Sequence, residues 1–174
     1  GPTRNSLDAT AQRDHLCELA FACAMAMTHL SRLAEDTIFF ATQEARFLVF
    51  GDAVSTGSSL MPQKRNPDAM ELVRGKCSRG HGALLALLGS VKGLPMAYNR
   101  DLQTDKETLF PLLAEAEACL QVAALAIHHA RFDVARCAAE AERGYLNATD
   151  LADLLVARGL PFRDAHEQVG RAVN

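Results

Sequence analysis

Leu16-Cys17-Glu18-Leu19-Ala20-Phe21-Ala22-Cys23-Ala24-Met25-Ala26-Met27-Thr28-His29-Leu30 is the middle of a pattern running from Ala11 to about Ala41. In it Leu16, Leu19, Ala20, Cys23, Met27, Leu30, Ala34 and Ile38 recur at helical intervals. Apolar side chains so spaced share one face of a helix, which predicts one long helix over Ala11 to Ala41, started by Asp8 or Thr10. Its length, well beyond the ~11-residue average, needs other long helices to cover the apolar face. The seam is rich in Ala and Met, as a buried face in a bundle would be. The fold class that follows is all-α, a bundle of long antiparallel helices.

Outward from this segment the pattern repeats. Ala69 to Leu88 reads as a helix ending near Gly89, with Asn66 as N-cap and Pro67 at the first helical position. Gly75, Gly80 and Gly82 each weaken it by about 1 kcal/mol relative to Ala, which points to close packing against a neighbour rather than intrinsic stability. Leu102 to His129 carries the next stripe, through Leu109, Leu112, Leu113, Ala116, Leu120, Ala123 and Ile127. Pro111 inside it predicts a bend. Beyond Phe132 the helices shorten to Val134–Glu142, Thr149–Arg158 with Gly159 as its stop, and a last one from Phe162. Glu44 to Phe50 is ambiguous between a helical turn and an extended piece. Gly51 to Asn66 reads as a mobile loop, and no strand is expected.

The chain has 174 residues, 49% of them apolar, enough for a real core. Lys and Arg number 18 against 21 Asp and Glu, with no block of like charge, which argues against a nucleic-acid arm or a polybasic membrane anchor and for a small-molecule or protein partner. Cys17, Cys23, Cys77, Cys119 and Cys137 are odd in number and lack any Cys-x-x-Cys pair, the usage of a reduced, cytoplasmic protein. Charges interrupt the apolar stretches before they reach the length of a membrane span. The six histidines are scattered without metal-ligand spacing and are expected to be solvated or packed between helices.

Chemistry concentrates in Gly57-Ser58-Ser59-Leu60-Met61-Pro62-Gln63-Lys64-Arg65-Asn66-Pro67, followed by Glu71. A phosphate-binding P-loop is excluded, because Gln63 rather than Gly precedes Lys64 and helices flank the stretch. A Ser-Lys nucleophile pair, a proton-transfer site with an anion-binding loop, and a plain Ser/Gly linker all remain open from the residues alone.

That run strongly resembles the signature Gly-Ser-Ser-x-Met-Pro-x-Lys-x-Asn-Pro of the fumarase/aspartase superfamily. Leu60 and Gln63, Gly93-Leu94-Pro95, and Tyr98-Asn99-Arg100-Asp101-Leu102-Gln103-Thr104-Asp105-Lys106 look like argininosuccinate lyase in particular. Asn5 to Thr10, Ala148 to Ala152 and Gly159 to His166 match that family too. The resemblance implies residues 1–132 as part of the central long-helix domain, with the signature loop at 51–66, and 133–174 as part of a small C-terminal helical domain.

It further implies a cofactor-free, reversible elimination of argininosuccinate to arginine and fumarate, in a homotetramer whose active sites are shared between subunits. Ser58 corresponds to the catalytic base, Lys64 to a residue that stabilises the developing carboxylate charge, and Glu71 to a carboxylate that orients the catalytic histidine. Ser59, Asn66, Tyr98, Gln103 and Lys106 correspond to substrate-binding positions. No metal is implied. The family's histidine lies in an upstream Thr-x-His segment that this chain lacks, so the chain reads as a middle-to-C-terminal fragment, inactive by itself. Adenylosuccinate lyase, fumarase and a non-catalytic lens crystallin on the same scaffold are the competing readings.

Overall fold

The computed structural model describes residues 2–57, 59–61 and 64–173. The chain divides into two units, Gly1–Arg131 and Phe132–Asn174.

Three long helices dominate the first unit: α2 (Asp14–Phe40), α3 (Asp68–Val91) and α4 (Thr104–His128). Cross-links fix their sense. Glu35 of α2 pairs with Arg74 of α3 at 2.7 Å, while Thr28 Oγ1 and His81 Nε2 lie 2.8 Å apart, so residue numbers rise on one helix as they fall on the other. Likewise Glu115 of α4 receives Lys76 and, at 2.6 Å, Arg79 of α3, whereas Ser90 meets Thr104 at 3.4 Å. The order is therefore up, down, up, with α3 antiparallel to both neighbours. Ala20, Met27, Cys77, Leu87, Leu109, Leu112, Ala116 and Cys119 form one buried cluster, and Ala34, Leu48, Phe50, Met70, Val73 and Ala126 a second nearer the loop end. Burial pushes the thiols of Cys17, Cys23 and Cys119 up, as expected of inert packing cysteines.

Several expectations need correcting. The first long helix is one element, α2, as expected, but it starts at Asp14 with no side-chain cap and is preceded by a short α1 (Ser6–Ala11), capped by Asn5 Oδ1 accepting from the Leu7 and Asp8 amides. Neither Asp8 nor Thr10 caps α2. Asn66 is not the cap of α3 either, since it lies in a strand and Pro67 takes the cap position. Strands do exist. β1 (Leu48–Phe50) pairs with β4 (Ala130–Phe132), and β2 (Thr56–Gly57) with β3 (Arg65–Asn66). They are two or three residues long, too short for alternation to register in a sequence. Pro111 sits inside α4, which continues through it. The segment Arg100–His128 is long and apolar enough to cross a membrane by length and composition, because only Glu115 and Glu117 are charged between Phe110 and Ile127. Here one side of it packs on α3 through Leu109, Leu112 and Ala116.

In the second unit α5 (Val134–Arg143) is capped by Asp133, and α6 (Ala148–Ala157) packs on α7 (Phe162–Val173) through Ala152, Ala165 and Val169. The stop after α6 is as read from the sequence. Gly159 adopts φ +99°, a conformation that a Cβ would penalise, so that its amide donates to Val156 and that of Leu160 to Leu155.

Candidate active site

The loop between α2 and α3 is a tied structure rather than a free connection. Thr56 stands opposite Asn66 and Gly57 opposite Arg65 in an antiparallel ladder, with Lys64 next to its second strand. The base of the ladder is held three ways. The Gly51 amide donates to the His129 carbonyl at 3.0 Å, in a contact so close that a Cβ at Gly51 would lie 3.3 Å from that oxygen. Arg65 pairs with Asp52 at 2.6 Å, and the Thr56 hydroxyl donates to the Asp68 carboxylate on the first turn of α3. Asp52, Thr56 and Asp68 were not singled out from sequence, because hydroxyl and carboxylate partners 12 residues apart leave no local pattern.

On this framework Ser59 and Lys64 are exposed and Asn66 is half-buried. The Lys64 amide closes a turn onto the Met61 carbonyl at 3.0 Å, while its ammonium has no ion-pair or hydrogen-bond partner among the described residues. Glu71 is exposed on the first turn of α3, where its charge also favours the helix N-terminus. Ser58, the expected base, lies outside the described residues, as does Gln63. A cation without a partner among the described residues, held beside a helix N-terminus, is an arrangement suited to an anion or to charge developing on a carboxylate.

The remaining candidates lie elsewhere. Tyr98 is exposed, Gln103 ends a 3₁₀ turn (Arg100–Gln103), and Lys106 opens α4. Those positions follow α3, whereas the loop precedes it. The 24 residues of α3 separate the two groups by roughly 35 Å at 1.5 Å per residue. One copy of the chain therefore does not bring Lys64 and Glu71 together with Tyr98, Gln103 and Lys106. At the Lys106 end the Asp105 carboxylate, almost fully buried, accepts from Arg13 Nε at 2.7 Å and from Lys106 Nζ at 3.2 Å. Burial alone would raise the Asp105 carboxyl, but the hydrogen bonds from Arg13 and Lys106, with the ammonium's charge, outweigh it and hold the group below the ordinary carboxylate range. Arg13 was missed in the sequence, since its partner is 92 residues away.

The architecture is a bundle of long helices, and comparison with known proteins places that fold beside those of fumarase/aspartase-type structures. Residues 1–82 match the family model described as Lyase, and residues 145–174 match that described as Argininosuccinate lyase C-terminal. Among solved structures, EDDS lyase in complex with formate is 29% identical with a TM-score of 0.84, over 99% of this chain and 34% of that one. An EDDS lyase variant with bound fumarate is 28% identical with a TM-score of 0.78, over 98% and 34%. A fumarate lyase:delta crystallin from Brucella melitensis, 23% identical with a TM-score of 0.77 over 98% and 39%, shares the fold. The chain thus has the all-helical fold of fumarase/aspartase-superfamily structures, and its residues 1–82 are similar to a Lyase domain. It spans about a third of the length of the EDDS lyase structures it matches. Tyr98, Gln103 and Lys106 lie between the two matched ranges.

Proposed function

We propose that this chain is part of an argininosuccinate lyase, cleaving argininosuccinate to arginine and fumarate. The observation that carries the reading is the ladder of Thr56–Gly57 with Arg65–Asn66 beside Lys64, whose ammonium has no partner among the described residues, in a chain whose residues 145–174 match an argininosuccinate lyase C-terminal domain. In the first step a base, assigned to Ser58, takes the proton from the carbon next to a substrate carboxylate. The electron pair moves into that carboxylate, which becomes a doubly charged, enolate-like group. Lys64, Asn66 and loop amides stabilise it, each such donor worth ~3 kcal/mol or about two orders of magnitude in rate. The pair then returns to form the carbon-carbon double bond of fumarate as the C–N bond breaks, and the departing guanidino nitrogen takes a proton. Glu71 orients the histidine that serves as proton carrier, which comes from a part of the protein outside this chain. No step calls for a metal or redox cofactor.

The ~35 Å between the loop and the Tyr98–Lys106 group supports an assembly in which each site draws on several subunits, a homotetramer in this reading. The similarity to EDDS lyase favours a second reading, the same C–N elimination with EDDS in place of argininosuccinate. The full-length parent protein should be assayed with both compounds. Fumarate and arginine released from argininosuccinate, and lost in Ser58→Ala with the fold intact, is the expected result. A folded parent that turns over EDDS alone establishes the second reading, and one that releases nothing from either leaves a scaffold without this activity.

A further inference from the structure

Arg13, Asp105 and Lys106 meet at the end of the bundle away from the loop, around a cavity of about 280 Å³ walled also by His15, Leu16 and Phe110. Asp105 shares its two oxygens: Oδ2 takes Arg13 at 2.7 Å and Oδ1 takes Lys106 at 3.2 Å. The side chains of Arg13 and Asp105 are 17% and 5% exposed, while that of Lys106 is 65% exposed. Arg13 is itself immobilised, because Nη1 donates to the carbonyls of Thr10 at 3.2 Å and Gln12 at 2.7 Å, at the C-terminal end of α1. Its guanidinium thus satisfies helix-end acceptors on one side and a buried carboxylate on the other.

The charges of this trio decide what Lys106 can do. Arg13 and Asp105 cancel, so Lys106 leaves the mouth of the cavity with a net positive charge. Without Arg13, the Asp105 carboxylate would neutralise Lys106 instead, and an arriving anion would meet no net attraction. With three donors on its ammonium, Lys106 can keep one on Asp105 and direct the others into the cavity.

We propose that Arg13 is a positioning residue of the substrate site: by neutralising Asp105 it frees the charge of Lys106 for a substrate carboxylate bound in this cavity. The proposal rests on the lyase reading above, in which Lys106 contacts the substrate. It adds a residue from the α1–α2 junction that never needs to touch the ligand.

Fumarate binding to the full-length parent, measured by calorimetry at low ionic strength, tests it through net charge. Lys106→Met removes the ligand-binding cation and should weaken fumarate roughly ten-fold, the effect of losing about 1.4 kcal/mol. Arg13→Met should weaken it by a similar factor. The double variant Arg13→Met/Asp105→Asn restores the net charge of the trio and leaves no buried ion unpaired, so it should fold and bind within about three-fold of the parent. Asp105→Asn alone should bind at least as tightly as the parent. A merely structural Arg13 would not be rescued by deleting its partner. If Lys106→Met leaves binding unchanged, the assignment of Lys106 falls and the proposal with it. If Lys106→Met weakens binding while Arg13→Met does not, or the double variant stays weak, or Asp105→Asn itself binds less tightly, the proposal is overturned and the lyase reading stands. Should Arg13→Met fail to fold, the double variant and Asp105→Asn still decide.

Discussion

Gly80 faces Met27 so closely that a Cβ built on the glycine would lie 2.9 Å from the methionine sulfur and 3.4 Å from the Ala24 Cα. This is where α2 and α3 cross, and the glycine that weakens α3 locally is what lets the two backbones approach. Met27 is fully buried, so its sulfur has little room to retreat. Gly80→Val should therefore destabilise the chain by about 2 kcal/mol through overpacking. Gly82 is different, since nothing lies within 4 Å of its Cβ position. Gly82→Ala should stabilise the 174-residue chain by up to about 1 kcal/mol, the helix-propensity difference. Denaturant midpoints of the two variants, moving in opposite directions, check the crossing.

Acid should unfold the first unit by way of two carboxylates. Asp105 is held low by Arg13 and Lys106 against the opposing effect of burial, and Glu115 is held low by its hydrogen bond from Lys76, then by Arg79, again against burial. Each has a folded pKa below its unfolded one, so each binds protons more tightly in the unfolded chain. Their stabilisation is fully present above the ordinary carboxylate pKa of about 4 and is lost as pH falls through the lower folded values. Stability measured against pH should fall below about pH 4, and Glu115→Gln should flatten that fall while lowering the plateau at neutral pH. An unchanged acid limb in this variant would show that the α3–α4 charge cluster carries no linkage.

How much was legible depended on the range of the interaction. The bundle announced itself because Leu16 through Ile38, and Leu109 through Ile127, repeat at the period of one helix face, a signal summed over many turns. The three C-terminal helices were placed within one or two residues, since Asp133 and Gly159 act locally. What failed was everything set by distant partners. The two-residue strands β2 and β3 exist because Thr56 and Asn66 find each other across a turn, and α2 begins at Asp14 where Arg13 reaches Asp105. The candidate site residues were read as a motif, through resemblance. That a whole helix separates Lys64 from Lys106 appears only once α3 is seen as one uninterrupted rod.

That separation makes a prediction about mixtures. Lys64→Met in the full-length parent should lower kcat by about two to three orders of magnitude, as loss of a donor to the developing charge does. Lys106→Met should act mainly on KM. If each site takes its Lys64 and its Lys106 from different subunits, co-assembling the two variants yields some sites with neither substitution. Activity should then rise above that of either variant alone after joint unfolding and refolding. Activity of the mixture equal to the mean of the two would place both lysines in one subunit's site, contrary to the ~35 Å span of α3.

The outer faces of the helices bear on assembly directly. Phe21 on α2, Leu85 on α3 and Phe110 on α4 are each at least 57% exposed, and Met25, Leu72, Leu120 and Leu125 add to the uncovered apolar surface. Burying such surface is favourable at about 25 cal/mol per Å². The isolated 174-residue chain should therefore self-associate, with its sedimentation coefficient rising over the micromolar range. Charge at the centre of these faces should oppose that. Leu85→Glu combined with Phe110→Glu places carboxylates on two exposed positions, so the fold should survive while association weakens by at least ten-fold, about 1.4 kcal/mol. A chain that sediments as a monomer at all concentrations, before any substitution, would mean these faces are tolerated by solvent and that the proposed assembly needs contacts from outside this segment.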